Sequence, residues 1–582
     1  MNTRSKIGIA VLQVALIIGV LGDVLLRATP WGLNVLLFNT VFVAAVAYLA
    51  WRRDASGPNA QTVGLLIAQL FFASMFVVRD SIELRIADTL AILLILAVQL
   101  VPRMSVVPRL AGLFHYALGF FWSSLNAFIA PFALLFSDIE WGGLPTSGWR
   151  KHSLAGLRGL AIATPLVLIF GGLFMAADSA YEGLVQRVFN VDLTFLFKHA
   201  VLFAVFAWLS AGYLRGVMIG PLGAVVVDWV SDAPESEEAE LHKTKFSDVA
   251  AEAGEPAVTL PDDHTVVEHL NISDAPNAET IASEETTDPK AGWEWADLSN
   301  SVLPQAFTLG TTEVAIILGL MNLLFLSFVI VQIPYLFGGM ELVQNTPDFK
   351  LAVYARRGFG ELVTVSALVL PTLLVGQWLI RKEAARAQTL FKVLAGSQIV
   401  LLFVIMASAV ERLVILTGPL GYGLTTVRLY PMIFMTWLAV VFIWFGVTVL
   451  RGMRQYFAWG ALWSAFFVLG ITHALNPDAF IVRTNLALMS EGREFDSSYN
   501  SDLSDDAIPA LIDGFPDMNG EQQIRVLGRL TRRYCESFEE TDLRSWNMSR
   551  ASAARRLHSI GSLADQYGGC EEVQLPSYGL HD

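Results

Sequence analysis

Apolar runs of about twenty residues recur along most of this chain, and that is the length an α-helix needs to cross the hydrocarbon core of a bilayer. Clear runs fall near 7–26, 31–51, 61–78, 82–101, 156–177, 194–215, 311–337, 358–380, 391–411, 426–450 and 455–475. The pattern predicts an all-α protein, a polytopic transmembrane helical bundle with about eleven crossings, plus a small C-terminal helical domain. Composition agrees: 54% of residues are hydrophobic and only 16% charged, where globular domains carry roughly 25%. The 15 Trp and 37 Phe suit a lipid-facing surface with interfacial aromatics.

The first run follows Arg4 and Lys6 but has no small-residue cleavage site after it, so it reads as a retained anchor. Residues 108–136 form a further apolar stretch, interrupted by His115, Ser123, Ser124, Asn126 and Pro131. It can span once as a twelfth crossing, re-enter, or lie in the interface. Charge separates these readings. Without a crossing there, the N-terminus, Arg52–Arg53, Arg103, Arg109, Arg150–Lys151, Arg215, Arg381–Lys382–Arg386, Arg451 and Arg454 share one side. The positive-inside rule makes that side the cytoplasm.

The expected order is four transmembrane helices in 1–101, a re-entrant or interfacial segment and loop in 102–155, and helices five and six in 156–230. An acidic cytoplasmic loop follows in 231–300, then helices seven to eleven in 301–475, and an extracytoplasmic helical domain in 476–582.

Residues 231–300 hold 18 acidic and 3 basic residues, a net of −15 against −14 for the whole chain, so the remainder is about +1. With few bulky residues, this segment is expected to be disordered, as a tether or a docking segment for a basic protein partner. The C-terminal stretch repeats apolar positions at helical spacing, for example Ile524, Leu527, Tyr534 and Phe538, with Ser549 as an N-cap for the last helix. The only two cysteines, Cys535 and Cys570, lie there too. They are too few for a structural zinc site, and they can form one disulfide if the compartment is oxidising.

Several longer motifs resemble a known family. They are "YLFGG" at Tyr335–Gly339, "YARRGFGELV" from Tyr354, "ERLVILTGPLGYGLTTVRLY" at Glu411–Tyr430 and "NPDAFIVRTNLA" at Asn476–Ala487. "LGDVLLR" at Leu21–Arg27, "RGLAIATPLVLIFGGLFMAADSAYEGLV" at Arg158–Val185 and "FDSSYNSDLSDDAIPAL" at Phe495–Leu511 fit as well. Together they resemble the bacterial membrane family called domain of unknown function 4173, related to family 4153. Gly360 departs from the pattern, which more often has a second Phe there. The resemblance implies a multi-pass bacterial inner-membrane protein and implies no activity.

With eleven crossings, the charged motifs fall at one outer face. Asp178 ends a span, Arg356, Arg357 and Glu361 open one, Arg412 ends one, Arg428 opens the next, and Asp478 and Arg483 follow the last. At a membrane mouth, arginine reaches headgroups or carboxylates without burial at the bilayer centre. These residues are expected either to lock helix ends or to bind an anionic lipid or solute.

No P-loop, HExxH, GxGxxG or nucleophile elbow occurs, so the sequence predicts neither enzyme, cofactor nor metal, and no basic soluble domain suggests nucleic acid. His115, His199 and His473 look isolated, and Gln13, Asn39, Gln69, Gln377 and Gln398 at span centres suit bonds between helices. Two readings remain: a non-enzymatic envelope scaffold or sensor, and a transporter or lipid-handling protein.

Overall fold

The apolar runs fold as helices, and the chain breaks between them at residues that stop a helix. Arg79 turns extended after one helix, and Asn476 adopts the left-handed conformation (φ 53°) after another. The computed structural model describes residues 3–53, 57–101, 108–141, 193–220, 308–344, 351–380, 385–417, 423–536 and 542–559. The expected span at 156–177 and the acidic segment 231–300 lie outside the described residues.

In chain order the long helices are α1 (Thr3–Leu26), α2 (Leu33–Arg53), α3 (Ala60–Val78), α4 (Ile82–Leu100), α5 (Leu113–Ala133), α6 (Leu193–Met218), α7 (Thr311–Gln344), α8 (Leu351–Leu379), α9 (Ala385–Thr417), α10 (Thr426–Thr448) and α11 (Phe457–Leu475). Five shorter helices follow: α12 (Pro477–Ser490), α13 (Ser497–Asp502), α14 (Ile508–Asp513), α15 (Gly520–Glu536) and α16 (Met548–Ser559). Among the described residues, one isolated bridge, Leu309 to Ile380, is the sole extended pairing.

Among the described residues, ten helices are long and apolar enough to cross a membrane. α4 has similar length, but Glu83, Arg85 and Asp88 load its first two turns with charge. Leu320, Leu323 and Leu324 of α7 are each more than 60% exposed, an apolar outer face that acyl chains solvate and water does not.

Contacts fix the direction of several helices. The near end of the bundle is where α1 starts. There Arg4 and the buried Arg215, in the last turns of α6, both reach Asp138. Arg53 at the end of α2 donates to the Met218 carbonyl, and Arg109 stacks over Tyr456 just before α11. At the far end, Asp23 of α1 meets His199 of α6. The turn after α3 meets the end of α11 there as well. α1 and α6 therefore run antiparallel, in close contact where Gly19 faces Ala207 and Gly22 faces Phe206. Small residues let helix backbones approach in this way.

α5 is long and apolar enough to span, yet it begins and ends at the near end. Its start packs on the end of α4, where Gly119 meets Val101 and the Ala97 carbonyl. After Pro131 the helix passes into a π-helical turn, Leu134–Asp138, which delivers Asp138 to Arg4 and Arg215. Between these points it crosses α6 at Gly212, and Trp208 donates to the Phe128 carbonyl. Tyr116, Ser123, Asn126, Ala130 and Leu134 face inward, whereas Phe121, Phe128, Phe132 and Phe136 are exposed.

Four apolar clusters hold the rest. α1, α2 and α6 share one, α3, α4 and α11 another, and α7 to α10 the largest, centred on Leu402, Phe442 and Phe445. The fourth joins α12 to α16 with Leu424 and Leu429 at the start of α10. In α15 the buried stripe is Val526, Leu527 and Leu530, whereas Ile524 is exposed. The expected N-cap Ser549 lies inside α16, and the cap is Asn547, which accepts from Arg550 N at 3.0 Å.

Polar span residues pair as far as geometry allows. Gln69 donates to Asn39 at 3.0 Å, Gln99 to Gln69 at 3.4 Å, and Tyr213 to Gln99 at 3.3 Å, which links α2, α3, α4 and α6. Gln13 is exposed, and neither amide atom of the buried Gln398 meets a partner among the described residues.

Candidate functional site

The far end of the bundle gathers the backbone ends of α3, α4 and α11, and helix ends need partners for their last carbonyls and first N–H groups. The C-terminal helices supply them. Asn547 donates to the carbonyls of Phe76 and Arg79, each at 2.8 Å. Asp506 accepts from the N–H groups of Asp80 at 2.7 Å and Ser81 at 3.0 Å. The Trp546 carbonyl accepts from Leu33 N at 2.9 Å.

Arg79 ties the layers together. Its Nε and Nη2 donate to the His473 carbonyl at 2.9 and 2.6 Å, and its Nη1 lies 3.5 Å from Asp506. That carbonyl is accessible because α11 stops two residues later, at left-handed Asn476 followed by Pro477. Beneath it, His473 Nε2 meets Asp88 Oδ1 at 2.8 Å, and both side chains are buried. This contact accounts for a carboxylate two turns into α4.

A second line of contacts runs through Asp478, 2% exposed. Ser504 bonds it through its hydroxyl and, at 3.3 Å, its N–H, and the same hydroxyl lies 3.4 Å from Asp506. Ser81 Oγ meets Glu83 at 2.9 Å and the Tyr430 hydroxyl at 3.1 Å. Asp80 pairs with Arg85 and lies 3.5 Å from Arg550, and Arg533 donates to Asp505 at 2.8 Å. Burial pushes the Asp478 carboxyl up to about 6; the Ser504 bond opposes this, while Asp506 and Glu83 add to it. Burial also raises Asp80 and Asp505, against the pull of Arg85 and Arg533 respectively.

Of the described residues expected at an outer cluster, Asp478 is the one built into this junction. Arg428 donates to the Gly423 carbonyl, beside Asn485, which bonds Leu424 N at 2.6 Å and its carbonyl at 3.0 Å. Arg412 is buried on α9, while Arg483 and Glu361 are exposed. Asp178 and the side chains of Arg356 and Arg357 lie outside the described residues. Cys535 is disulfide-bonded, and Cys570 lies outside the described residues.

Two histidines that look isolated in the sequence each face an aspartate. His199 Nδ1 lies 2.5 Å from Asp23 and its Nε2 2.7 Å from Arg27. A guanidinium can only donate, so Nε2 accepts and Nδ1–H donates to Asp23. Their partners, Asp23 and Asp88, lie far away in sequence, so spacing could not reveal them; for the junction itself the charged "RDSIELR" turn between two apolar runs was the available signal.

The junction can hold charge, share protons and fasten helices. Among the described residues no group of three or more His, Cys, Asp or Glu is placed to hold a metal ion. No curated protein and no solved structure matches the chain. Most of this bundle and the start of its C-terminal helices, residues 65–224 and 286–514, match one family model, and the chain belongs to the family described as domain of unknown function (DUF4153).

Proposed function

We propose that this protein is a non-enzymatic scaffold or sensor of the bacterial inner membrane, within the 4173 branch of its family. The near end faces the cytoplasm, with the acidic segment 231–300, and the far end carries the C-terminal helices outside it. The run of Arg52, Arg53, Arg109 and Arg215 at the near end supports this sense. In that compartment Cys535 pairs with Cys570.

The observation that carries the reading is the fastening of the C-terminal helices onto the α3–α4 turn by Asp506 and Asn547. A domain bound through helix ends is held in register with the membrane helices beneath it. Movement on either side is then felt on the other.

Substituting Asn547 by alanine leaves the Phe76 and Arg79 carbonyls and the Arg550 N–H without their partner, a loss of about 2 kcal/mol. Hydrogen exchange of residues 497–559 in the full chain in lipid is expected to speed up roughly thirtyfold relative to wild type. Unchanged exchange contradicts the fastening. Uptake of an anionic solute by proteoliposomes in proportion to the protein they hold points instead to transport.

A further inference from the structure

We infer that Asp478 is a proton-binding site whose occupancy tightens the hold of the C-terminal helices on the bundle, so that the signal sensed is external acidity. This rests on the fastening proposed above and assigns its regulation.

The Ser504 hydroxyl has one hydrogen and lies against two carboxylates, Asp478 and Asp506. Asp506 has two backbone N–H donors on Oδ2, and the Arg79 guanidinium 3.5 Å from its Oδ1 balances its charge without a hydrogen bond. Asp478 has only Ser504, and its Oδ1 is buried with no donor at all. Among the described residues no cation pairs with it. A buried carboxylate oxygen without a donor is costly while it carries charge, and a proton on the carboxyl removes that charge.

The surroundings favour that proton. Glu83 from α4, Asp506 from the segment before α14, and the Tyr430 hydroxyl from α10 make up the neighbouring field. Arg79 and His473, the nearby basic groups, are engaged by Asp506 and Asp88. Like charges close together cannot all ionise freely.

The sign follows from linkage. Docked, the carboxyl titrates near 6, and free in water near 3.8. The docked form therefore binds the proton more tightly, and docking weakens as pH rises through this window and is weakest above about 6. Lowering the pH from about 7.5 to about 5 is expected to favour docking by up to about tenfold, the limit reached when undocking exposes the carboxyl fully.

A spin label at Asn519→Cys, an exposed position before α15, reports docking in the full chain in lipid nanodiscs. Urea is set so that mobile and immobile signals are equal near neutral pH. Acid is expected to shift their ratio by up to about tenfold toward immobile, while Asp478→Asn removes most of the shift, leaving the part that Asp80 and Asp505 carry, and stays largely immobile at both pH values. A carboxyl C=O band that appears in acid infrared difference spectra and vanishes in Asp478→Asn gives the same assignment. A wild-type ratio that ignores pH, or a shift that persists undiminished in Asp478→Asn, overturns the proton site. Asn547→Ala tests the fastening separately, because it is expected to raise the mobile signal at both pH values.

Discussion

Replacing Asp138 by alanine is expected to destabilise the protein by about 3–5 kcal/mol, since it strands a buried charge. The Arg215 guanidinium is fully buried; Nε and Nη2 lie 2.7 and 3.4 Å from Asp138, and Nη1 donates to the Gly220 carbonyl at 3.1 Å. Without the carboxylate, that carbonyl alone faces a full positive charge in a weakly polar environment. Arg4, bound to the same carboxylate at 2.8 Å, is 40% exposed, so Arg4→Ala is expected to cost less than about 1 kcal/mol. Because the loss reflects an unpaired charge, Asp138→Leu with Arg215→Met is expected to recover much of it. SDS-induced unfolding of the purified protein in mixed micelles measures all three. Equal losses for Arg4→Ala and Asp138→Ala contradict the assignment.

Gly212→Ala is expected to destabilise by about 3 kcal/mol, against the usual gain of nearly 1 kcal/mol when a helical glycine becomes alanine. A Cβ at Gly212 would lie 2.4 Å from the Asn126 carbonyl oxygen and 2.5 Å from that of Ala127. Both are backbone atoms of α5, so no side-chain rotation relieves the clash and the helix itself has to lift. Gly319, inside α7, has open space around its position, and Gly319→Ala is expected to be neutral or stabilising. Opposite signs at two helical glycines isolate the close crossing of α5 and α6. A matching effect at both places the cost in the glycines and not in the crossing.

The helices were legible because apolar runs of spanning length have few alternatives, and α1 and α2 fall within a few residues of their runs. Residues 108–136 were ambiguous by hydropathy, because an interfacial helix and a spanning one can share the same apolar content. Arg109 and Arg215 stand near the two ends of α5, and both of those ends lie at the near end of the bundle. The junction was not legible. Asp80 and Asp506 are 426 residues apart, and Arg79 and His473 are 394 apart, so no local pattern links them. Sequence shows that Asp478 stands at a helix end but not which neighbours surround it. The cap of α16 shows the same limit at short range: Ser549 is a good capping residue, yet Asn547 sits where it can also close α3.

The central claim is that α1 starts at one face of the membrane, α5 begins and ends at that face, and the C-terminal helices are fastened at the other. Single cysteines at Thr3, Leu110, Glu140 and Asn519, all exposed, in a chain lacking Cys535 and Cys570, test it through labelling of sealed spheroplasts with an impermeant maleimide. Labelling is expected at Asn519 alone before lysis and at all four positions after. Labelling of Leu110 and Glu140 from opposite sides, or of Thr3 and Asn519 from the same side, contradicts it.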